Sequence, residues 1–273
     1  MADPDWLIIR RGDAPLVLGM PHTGTHIPDD LLPRFVSPWR ARKDADWWID
    51  RLYAFAVHLD ATIVHTRLSR SVIDVNRDPS GASLYPGQTT TELCPTTTFD
   101  GEPLYLPGHE PDEAEIAERR DRWLMPYHAA LTAELKRLRD AHGRVVLYDC
   151  HSIRSQVPRL FDGELPQFNI GTNNGVTCDT ALEAAVERAC AATGLSLVVN
   201  GRFRGGYTTR HHGRPDTGVH AIQMELACRG YLDEPVLPDE TNWPTPFDPA
   251  RAAPLMADLH TILTACLDWK ATA

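Results

Sequence analysis

The sequence lacks the features that identify membrane-spanning and secreted disulfide-rich proteins. No apolar run approaches the length of about 18 residues that a transmembrane helix needs. The opening segment, MADPDWLIIRRGDAP, contains no apolar core of a signal peptide. The six cysteines lie far apart and form no CxxC pair. We therefore expect a cytoplasmic protein with free thiols and no membrane partner.

Clustered positive charge is also missing. The net charge is −10 and no run of lysine and arginine is present, so the sequence predicts no nucleic-acid partner. Hydrophobic residues make up 42% of the chain and charged residues 23%, which is typical of a globular protein. At 273 residues the chain is within the range of one α/β domain, and we expect residues 1–273 to form a single domain.

Hydrophobic periodicity predicts alternating strands and helices. The predicted strands are 16–20, 61–65, 71–75, 144–149, 195–199 and 219–226. The predicted helices are 44–59, 111–142 with a break near Pro126, 178–193 and 251–269. Residues 76–107 and 201–218 are predicted loops, and a loop as long as the first usually forms a lid or wall of a functional site. The alternation predicts a layered α/β fold with helices on both faces of a sheet.

Two histidines directly follow apolar strands. His22 comes after the strand at 16–20, and His151 comes after the strand at 144–149. A single histidine in such a position is more commonly a surface or capping residue, but two strand ends can converge at one edge of a sheet. A catalytic zinc site uses three protein ligands, so a carboxylate is wanted as well. Asp44 and Asp46 are the nearest candidates, although either also suits the role of helix cap.

Glu225 is unusual because it lies near the end of an apolar strand. A carboxylate is costly there unless it is paired or used. One interpretation is a general base with a raised pKa beside a metal-bound water. The other is a salt bridge to an arginine of the preceding loop, and the residues alone leave both open.

Cys150 is not favoured as a nucleophile. Neighbouring residues on a strand point to opposite faces, so its thiol is expected in the core rather than beside His151.

Arginines are concentrated in and beside the two long loops. Arginine binds carboxylates through two parallel hydrogen bonds, so a local cluster within an acidic protein predicts an anionic substrate. Asn76 and Arg77 follow a predicted strand at the same edge of the sheet as the histidines. The arginines concerned are Arg70, Arg77, Arg202, Arg204, Arg210 and Arg214.

An ordered set of motifs resembles the N-formylglutamate amidohydrolase family, the deformylases of histidine degradation. The resemblance spans roughly residues 16–235. The motifs are PHTG (21–24), DADW (44–47), DRLY (50–53), SRSVIDVNR (69–77), LYPGQTT (84–90), TFDGEPLY (98–105), DCHS (149–152), NGRFRGGY (200–207), QMEL (223–226) and YLDE (231–234). So many matches in order are far more specific than any single histidine.

The resemblance implies a fold related to the zinc carboxypeptidases, with three layers and a mixed, mostly parallel sheet between helices. It also implies an order of functional residues along the chain. The first metal ligand would be His22, followed by Asn76 and Arg77 for a substrate carboxylate, then the second metal ligand His151 and the catalytic Glu225. The residues found independently above fall into that order.

The metal implied is one zinc ion, although histidine and carboxylate ligands also suit other divalent ions. The carboxypeptidase pattern places a glutamate three residues after the first metal histidine, where this sequence has Thr25. The carboxylate ligand must therefore come from elsewhere. Asp46 is our choice, and Asp44 is the alternative.

The implied substrate, N-formyl-L-glutamate, is a small molecule with two carboxylates. The zinc ion itself or a nearby arginine such as Arg70 would stabilise the oxyanion that forms during amide hydrolysis. Arg210 would bind the side-chain carboxylate, with Arg204 and His211 as further substrate-binding residues.

Three other interpretations stay open at this stage. The protein could hydrolyse another N-acyl amino acid, act as a carboxypeptidase-like peptidase, or bind acidic metabolites without a metal or catalysis. Glu225 argues against the binding protein, because a carboxylate beside an anion pocket repels the ligand unless it has a catalytic role. The sequence leaves the oligomeric state open.

Overall fold

A seven-stranded sheet is the centre of the structure, a computed structural model that describes residues 5–84 and 87–270. The strands are β1 (Leu7–Arg10), β2 (Leu16–Met20), β3 (Thr62–Thr66), β4 (Val145–Ile153), β5 (Phe168–Gly171), β6 (Leu197–Val199) and β7 (Val219–Ala227). Their spatial order is β1-β3-β2-β4-β7-β5-β6. β1 pairs with β3, and β5 with β7, in antiparallel orientation, whereas the other neighbours are parallel. The predicted mixed, mostly parallel sheet is confirmed.

Helices cover both faces of this sheet. They are α1 (Ile49–Leu52), α2 (Glu113–Arg119), α3 (Met125–His142), α4 (Thr180–Ala192), α5 (Tyr207–His212) and α6 (Pro249–Asp268). A π-helical turn at Arg120–Leu124 separates α2 from α3, which is where the sequence predicts a break near Pro126. In the described parts of the chain, no helix combines the length and apolarity needed to cross a bilayer.

Side chains alternate between two hydrophobic cores along the central strands. On β4, Tyr148 and Cys150 pack in the core formed with α4 and α6, whereas Leu147 packs in the core formed with α3. This period of two places successive side chains on opposite faces. Both faces are apolar because helices cover both, as is usual for parallel strands. The three-layer α/β fold is confirmed.

Near the carboxyl ends of β4 and β7 the second face turns polar. The parallel register pairs Asp149 with Gln223 and His151 with Glu225. These four side chains share one face, whereas Cys150 and Met224 between them remain in the apolar core on the other face. The sheet itself therefore brings polar residues from distant parts of the sequence into one row.

Some predicted elements differ from the structure. Residues 71–75 form turns rather than a strand, because the apolar side chains that suggested a strand pack directly into the α3 core. The predicted helix 44–59 is reduced to α1 and a 3-10 segment, Ala54–Leu59. The predicted loop 201–218 contains α5, while β1 and β5 were not predicted. The predicted loop 76–107 lacks helices and strands in its described part, and Tyr85 and Pro86 lie outside the described residues.

A buried histidine on α3 connects this helix to two other segments. His128 Nε2 donates to the Val75 carbonyl at 2.7 Å, so its Nδ1 accepts from His212 Nε2 at 3.0 Å. Burial, together with the positive charge of nearby His211, lowers the pKa of His128 from 6.5 to about 4. The folded protein therefore holds this imidazole neutral at pH values where the unfolded chain protonates it.

This difference predicts a loss of stability in acid. As the pH falls through 6.5 towards 4, the unfolded state binds a proton at residue 128 and the folded state does not, so unfolding becomes more favourable. The contribution is about 2 kcal/mol at about pH 5. Urea titrations at about pH 7.5 and pH 5 should show a smaller decrease for His128→Gln than for the unsubstituted protein. The exposed His58→Gln control should match the unsubstituted protein, and an identical decrease in all three contradicts the prediction.

Candidate active site

Three buried side chains converge at the carboxyl ends of β2 and β4. His22 follows β2, His151 lies within β4, and Asp46 lies in the turn before α1. Asp46 Oδ2 is 3.1 Å from His151 Nδ1 and 3.7 Å from His22 Nδ1. One ligand atom from each residue lies within 4.8 Å of the other two, so this group has the geometry to hold a metal ion.

Backbone contacts position Asp46 between the histidines. Its own N–H donates to the His22 carbonyl at 3.0 Å, and the Ser152 N–H donates to its Oδ2 at 3.2 Å. The alternative role of helix cap is not seen, because Trp48 occupies the cap position of α1 without a side-chain hydrogen bond. Asp44 is directed elsewhere, since its Oδ2 accepts from the Phe99 N–H at 2.6 Å. Burial raises the pKa of Asp44 to about 6.

Each histidine has a second carboxylate on its other nitrogen. His22 Nε2 is 2.7 Å from Asp74 Oδ1, and His151 Nε2 is 3.1 Å from Asp149 Oδ2. In each pair the carboxylate accepts a hydrogen bond from the Nε2–H group, which leaves Nδ1 of the ring directed towards Asp46. Metal-binding histidines are commonly oriented by an outer carboxylate in this way.

The surroundings of His22 Nδ1 indicate that these residues can bind a cation. His22 Nδ1 has no hydrogen-bond partner among the described residues, although burying a polar atom without one is costly. It faces Asp46, and two imidazoles with one carboxylate form a donor set found in catalytic zinc sites. The residues present therefore fit a single divalent cation.

The charges of this group shift one another's pKa values. Burial raises the pKa of Asp46, but the positive charge of His22 and the hydrogen bond from His151 outweigh it and hold the pKa below its usual range. Burial lowers the pKa of His151, whereas the charge of Asp149 raises it well above its usual value. The lowered pKa of Asp46 keeps this carboxylate ionised, which favours bound positive charge between the rings.

Arg70 completes the buried charge network. Its Nη2 donates to Asp74 Oδ2 at 2.7 Å, and its Nη1 lies 3.4 Å from Asp46 Oδ1. The guanidinium also packs over the Phe99 ring, 4.8 Å from the centroid. It therefore lies directly beside the group that fits a metal.

Glu225 lies on the neighbouring strand, in register with His151. Burial raises its pKa to about 7, although the positive charge of His151 opposes this shift. Gln223 Nε2 donates to Glu225 Oε2 at 3.1 Å, while Gln223 Oε1 accepts from the Gly206 N–H at 2.6 Å. The alternative of a salt bridge to a loop arginine is not seen, because no described arginine lies within ion-pair distance of Glu225. A buried carboxyl that titrates near neutrality is suited to proton transfer.

These groups open into one shared cavity. His22, His151 and Glu225 line it, together with Arg70. The apolar part of the wall comes from Phe99, Ile153, Leu160 and Phe203. The remaining polar lining includes Asn76, Arg77, residues 89–91, Arg202 and Gln223. The cavity therefore lies beside the metal-fitting group (His22, Asp46 and His151) and is lined by the carboxyl group of Glu225 and by three arginines.

Asn76 and Arg77, predicted to bind substrate, both line this cavity. Asn76 Nδ2 is 3.1 Å from His151 Nε2, and its Oδ1 accepts from the Thr208 N–H at 2.7 Å. A Cβ atom at Gly206 would come within 2.4 Å of Asn76 Nδ2, so this close approach requires glycine. Arg77 donates to Thr91 through Nε and Nη2.

Three other predicted substrate-binding residues are not brought to the cavity. Arg204 is exposed and donates to the Gly201 carbonyl, and Arg210 donates to the carbonyls of Gly205 and Leu84. His211 is exposed on α5 and stacks on Tyr207 with ring centroids 4.9 Å apart. Arg210 and His211 lie on α5, a helix within a segment that was predicted to be loop. Arg202, from the same segment, lines the cavity instead.

Sequence reasoning also missed Asp74, Asp149 and Gln223. The last two carry a usable signal, because each lies two residues before a predicted functional residue on the same strand and therefore shares its face. Cys150 lies in the opposite core, where burial raises its thiol pKa well above the usual value, as its strand position predicts.

Comparisons with known proteins identify the family of the chain. A sequence model of the N-formylglutamate amidohydrolase family matches residues 14–232. An N-formylglutamate deformylase from Pseudomonas aeruginosa is 48% identical over 233 residues, covering 84% of this chain and 86% of that protein. One from Pseudomonas putida is 42% identical over 266 residues, covering 97% of each.

The fold has a solved counterpart. The crystal structure of N-formylglutamate amidohydrolase from Ralstonia eutropha JMP134 superimposes with a TM-score of 0.75 at 25% identity, covering 95% of this chain and 97% of that one. The resemblance seen in the motifs is therefore confirmed over most of the sequence and over the fold. The chain belongs to the N-formylglutamate amidohydrolase family.

Proposed function

We propose that the protein hydrolyses the formyl amide of N-formyl-L-glutamate to formate and L-glutamate. The observation that carries this proposal is the position of Glu225, whose pKa is raised to about 7, beside the His22–Asp46–His151 group in an arginine-lined cavity. The names of the Pseudomonas relatives support the same substrate. The six buried free cysteines suit a reducing compartment, and we place the reaction in the cytoplasm.

One divalent cation, zinc in our proposal, would be held by His22, Asp46 and His151. When bound, such an ion supplies Lewis acidity that lowers the pKa of a water ligand towards ~7 and polarises a carbonyl. Asp74 and Asp149 hold the two imidazoles in the orientation that presents Nδ1.

Glu225 moves the proton. Its carboxylate takes a proton from the water that attacks the formyl carbon, so that a carbon–oxygen bond forms. The same carboxyl then gives the proton to the amide nitrogen as the carbon–nitrogen bond breaks, releasing formate and the amine. A pKa near 7 suits both halves of this transfer. Gln223 keeps the carboxyl in place through its bond to Oε2.

Arginines provide the positive charge that the reaction and the substrate need. Arg70 stabilises the negative charge that develops on the formyl oxygen, because its guanidinium lines the cavity beside the metal-fitting group. Arg77, with Asn76 beside it, binds the α-carboxylate. Both side chains are already oriented by Thr91 and Thr208, so little ordering is needed on binding.

The first test measures formate release by the purified protein. We expect hydrolysis of N-formyl-L-glutamate to stop after exhaustive dialysis against a chelator and to return with added zinc. N-acetyl-L-glutamate and a glutamyl dipeptide should be hydrolysed far more slowly. Full activity in metal-free protein, or a preference for the dipeptide, would contradict the proposal.

A second test separates the two aspartates. Because Asp46 lies between the histidines and Asp44 binds the Phe99 N–H, Asp46→Asn should weaken zinc binding and Asp44→Asn should not. Loss of an outer partner alone weakens metal binding about 10- to 100-fold, so loss of a direct ligand should cost at least as much. Equilibrium dialysis with elemental analysis measures this, and the reverse ranking would assign the ligand to Asp44.

A third test concerns Glu225. Glu225→Gln keeps the shape of the side chain but removes the proton acceptor, so kcat should fall about 100- to 10,000-fold. Zinc content should be unchanged, since Glu225 is not a ligand. The matched control is Glu187→Gln at an exposed position of α4, which should behave as the unsubstituted protein. A Glu225→Gln variant with normal kcat removes this residue from proton transfer.

A further inference from the structure

Three arginines line the cavity, and their surroundings differ. Arg70 lies against two carboxylates, with Asp74 at 2.7 Å and Asp46 at 3.4 Å. Arg77 Nε lies 3.6 Å from Asp74 and donates to Thr91. Arg202 is the third, and the sequence analysis gave it no role beyond membership of the loop cluster.

Arg202 is anchored by backbone carbonyls from two other segments. Its Nε donates to the Leu160 carbonyl at 2.8 Å, and its Nη2 donates to the Thr89 carbonyl at 2.7 Å. The guanidinium also lies 5.4 Å from the centroid of the Phe203 ring. These two carbonyl bonds fix the orientation of the guanidinium in the wall of the cavity. An arginine oriented in this way presents a carboxylate-binding group at little entropic cost.

The substrate proposed above carries three groups that need positive charge. The oxyanion forms at the formyl carbon, which must lie near Glu225 and therefore near Arg70. The α-carboxylate is assigned to Arg77, which follows Asn76 and so stays close to His151. The side-chain carboxylate then needs a separate cationic group, and Arg202 is the remaining arginine in the wall of the cavity.

We propose that Arg202 binds the side-chain carboxylate of the substrate and makes the enzyme selective for acidic N-formyl amino acids. This inference rests on the proposed function. It replaces Arg210 in that role, because Arg210 does not line the described cavity. The apolar side chains of Leu160 and Phe203 beside Arg202 match the methylene groups that connect the two carboxylates.

A purely structural role for Arg202 makes a different prediction. Its two carbonyl bonds tie residues 89, 160 and 202 together, so its loss could loosen the cavity wall. A loosened wall lowers turnover of every substrate to a similar degree. Loss of a carboxylate partner instead lowers turnover of the acidic substrate selectively.

The experiment compares kcat/KM for N-formyl-L-glutamate with kcat/KM for N-formyl-L-glutamine, which has the same shape without the charge. The unsubstituted protein should prefer the acidic substrate by about 10- to 100-fold, the range expected for one charged hydrogen-bonded contact. Arg202→Met should abolish most of this preference, chiefly through KM for N-formyl-L-glutamate. Arg202→Lys keeps the charge without the paired carbonyl bonds and should retain part of the preference.

Two arginines serve as comparisons. Arg188→Met, at an exposed position of α4, should keep the full preference. Arg204→Met tests the neighbouring loop arginine, and loss of the preference in this variant instead of Arg202→Met overturns the proposal. An equal decrease in kcat/KM for both substrates in Arg202→Met also overturns it, because that result indicates that Arg202 only supports the cavity wall. If Arg202→Met does not fold, Arg202→Lys decides the question. A reduced preference with activity on N-formyl-L-glutamine retained supports the assignment, whereas an unchanged preference or an equal decrease for both substrates overturns it.

The unsubstituted protein separates this inference from the proposed function. Hydrolysis of both substrates with equal kcat/KM overturns the role of Arg202 and leaves deformylation intact. Hydrolysis of neither substrate by zinc-loaded protein overturns the proposed function itself.

Discussion

Three buried carboxylates face two buried histidines, and the rest of the site depends on how these charges are balanced. Asp46, Asp74 and Asp149 lie on the nitrogens of the two rings. Burying ionised groups is unfavourable unless they are paired and hydrogen-bonded. Asp74 shows how this requirement shapes the chain, because it accepts from the Asn76 N–H at 2.9 Å as well as from Arg70. The loop therefore folds around its own carboxylate and carries Asn76 and Arg77 to the cavity wall.

That loop in turn supports the other side of the cavity. Asn76 Oδ1 accepts from the Thr208 N–H at the start of α5, and Gln223 Oε1 accepts from the Gly206 N–H just before it. The nitrogen of each amide then lies against a functional group, since Asn76 Nδ2 is 3.1 Å from His151 Nε2 and Gln223 Nε2 donates to Glu225. Gly206 and the first turn of α5 are thus connected to His151 and Glu225 through the side-chain amides of Asn76 and Gln223.

The sequence predicts the parts of this arrangement that depend on local pattern. The apolar runs before His22 and His151 indicate strands, and strand ends in such a sheet share one edge, so their convergence could be anticipated. The choice between Asp44 and Asp46 could not, because it depends on a turn whose course is set by the His22 carbonyl and the Ser152 N–H. The same holds for Arg202 and Arg204, which are two residues apart in a loop. Arg202 is anchored by carbonyls that lie 42 and 113 residues away in the sequence.

The alternation along β4 and β7 has a consequence for folding as well. Met224 and Cys150 lie in the apolar core, and Glu225 and His151 lie on the opposite face. A slip of β7 by one residue would exchange these faces and bury Glu225 among apolar side chains. Such a misregistered sheet is strongly disfavoured, because the carboxylate would lose the groups that compensate its burial. The residue proposed to transfer the proton therefore also helps the chain to reject a wrong pairing of its two longest strands.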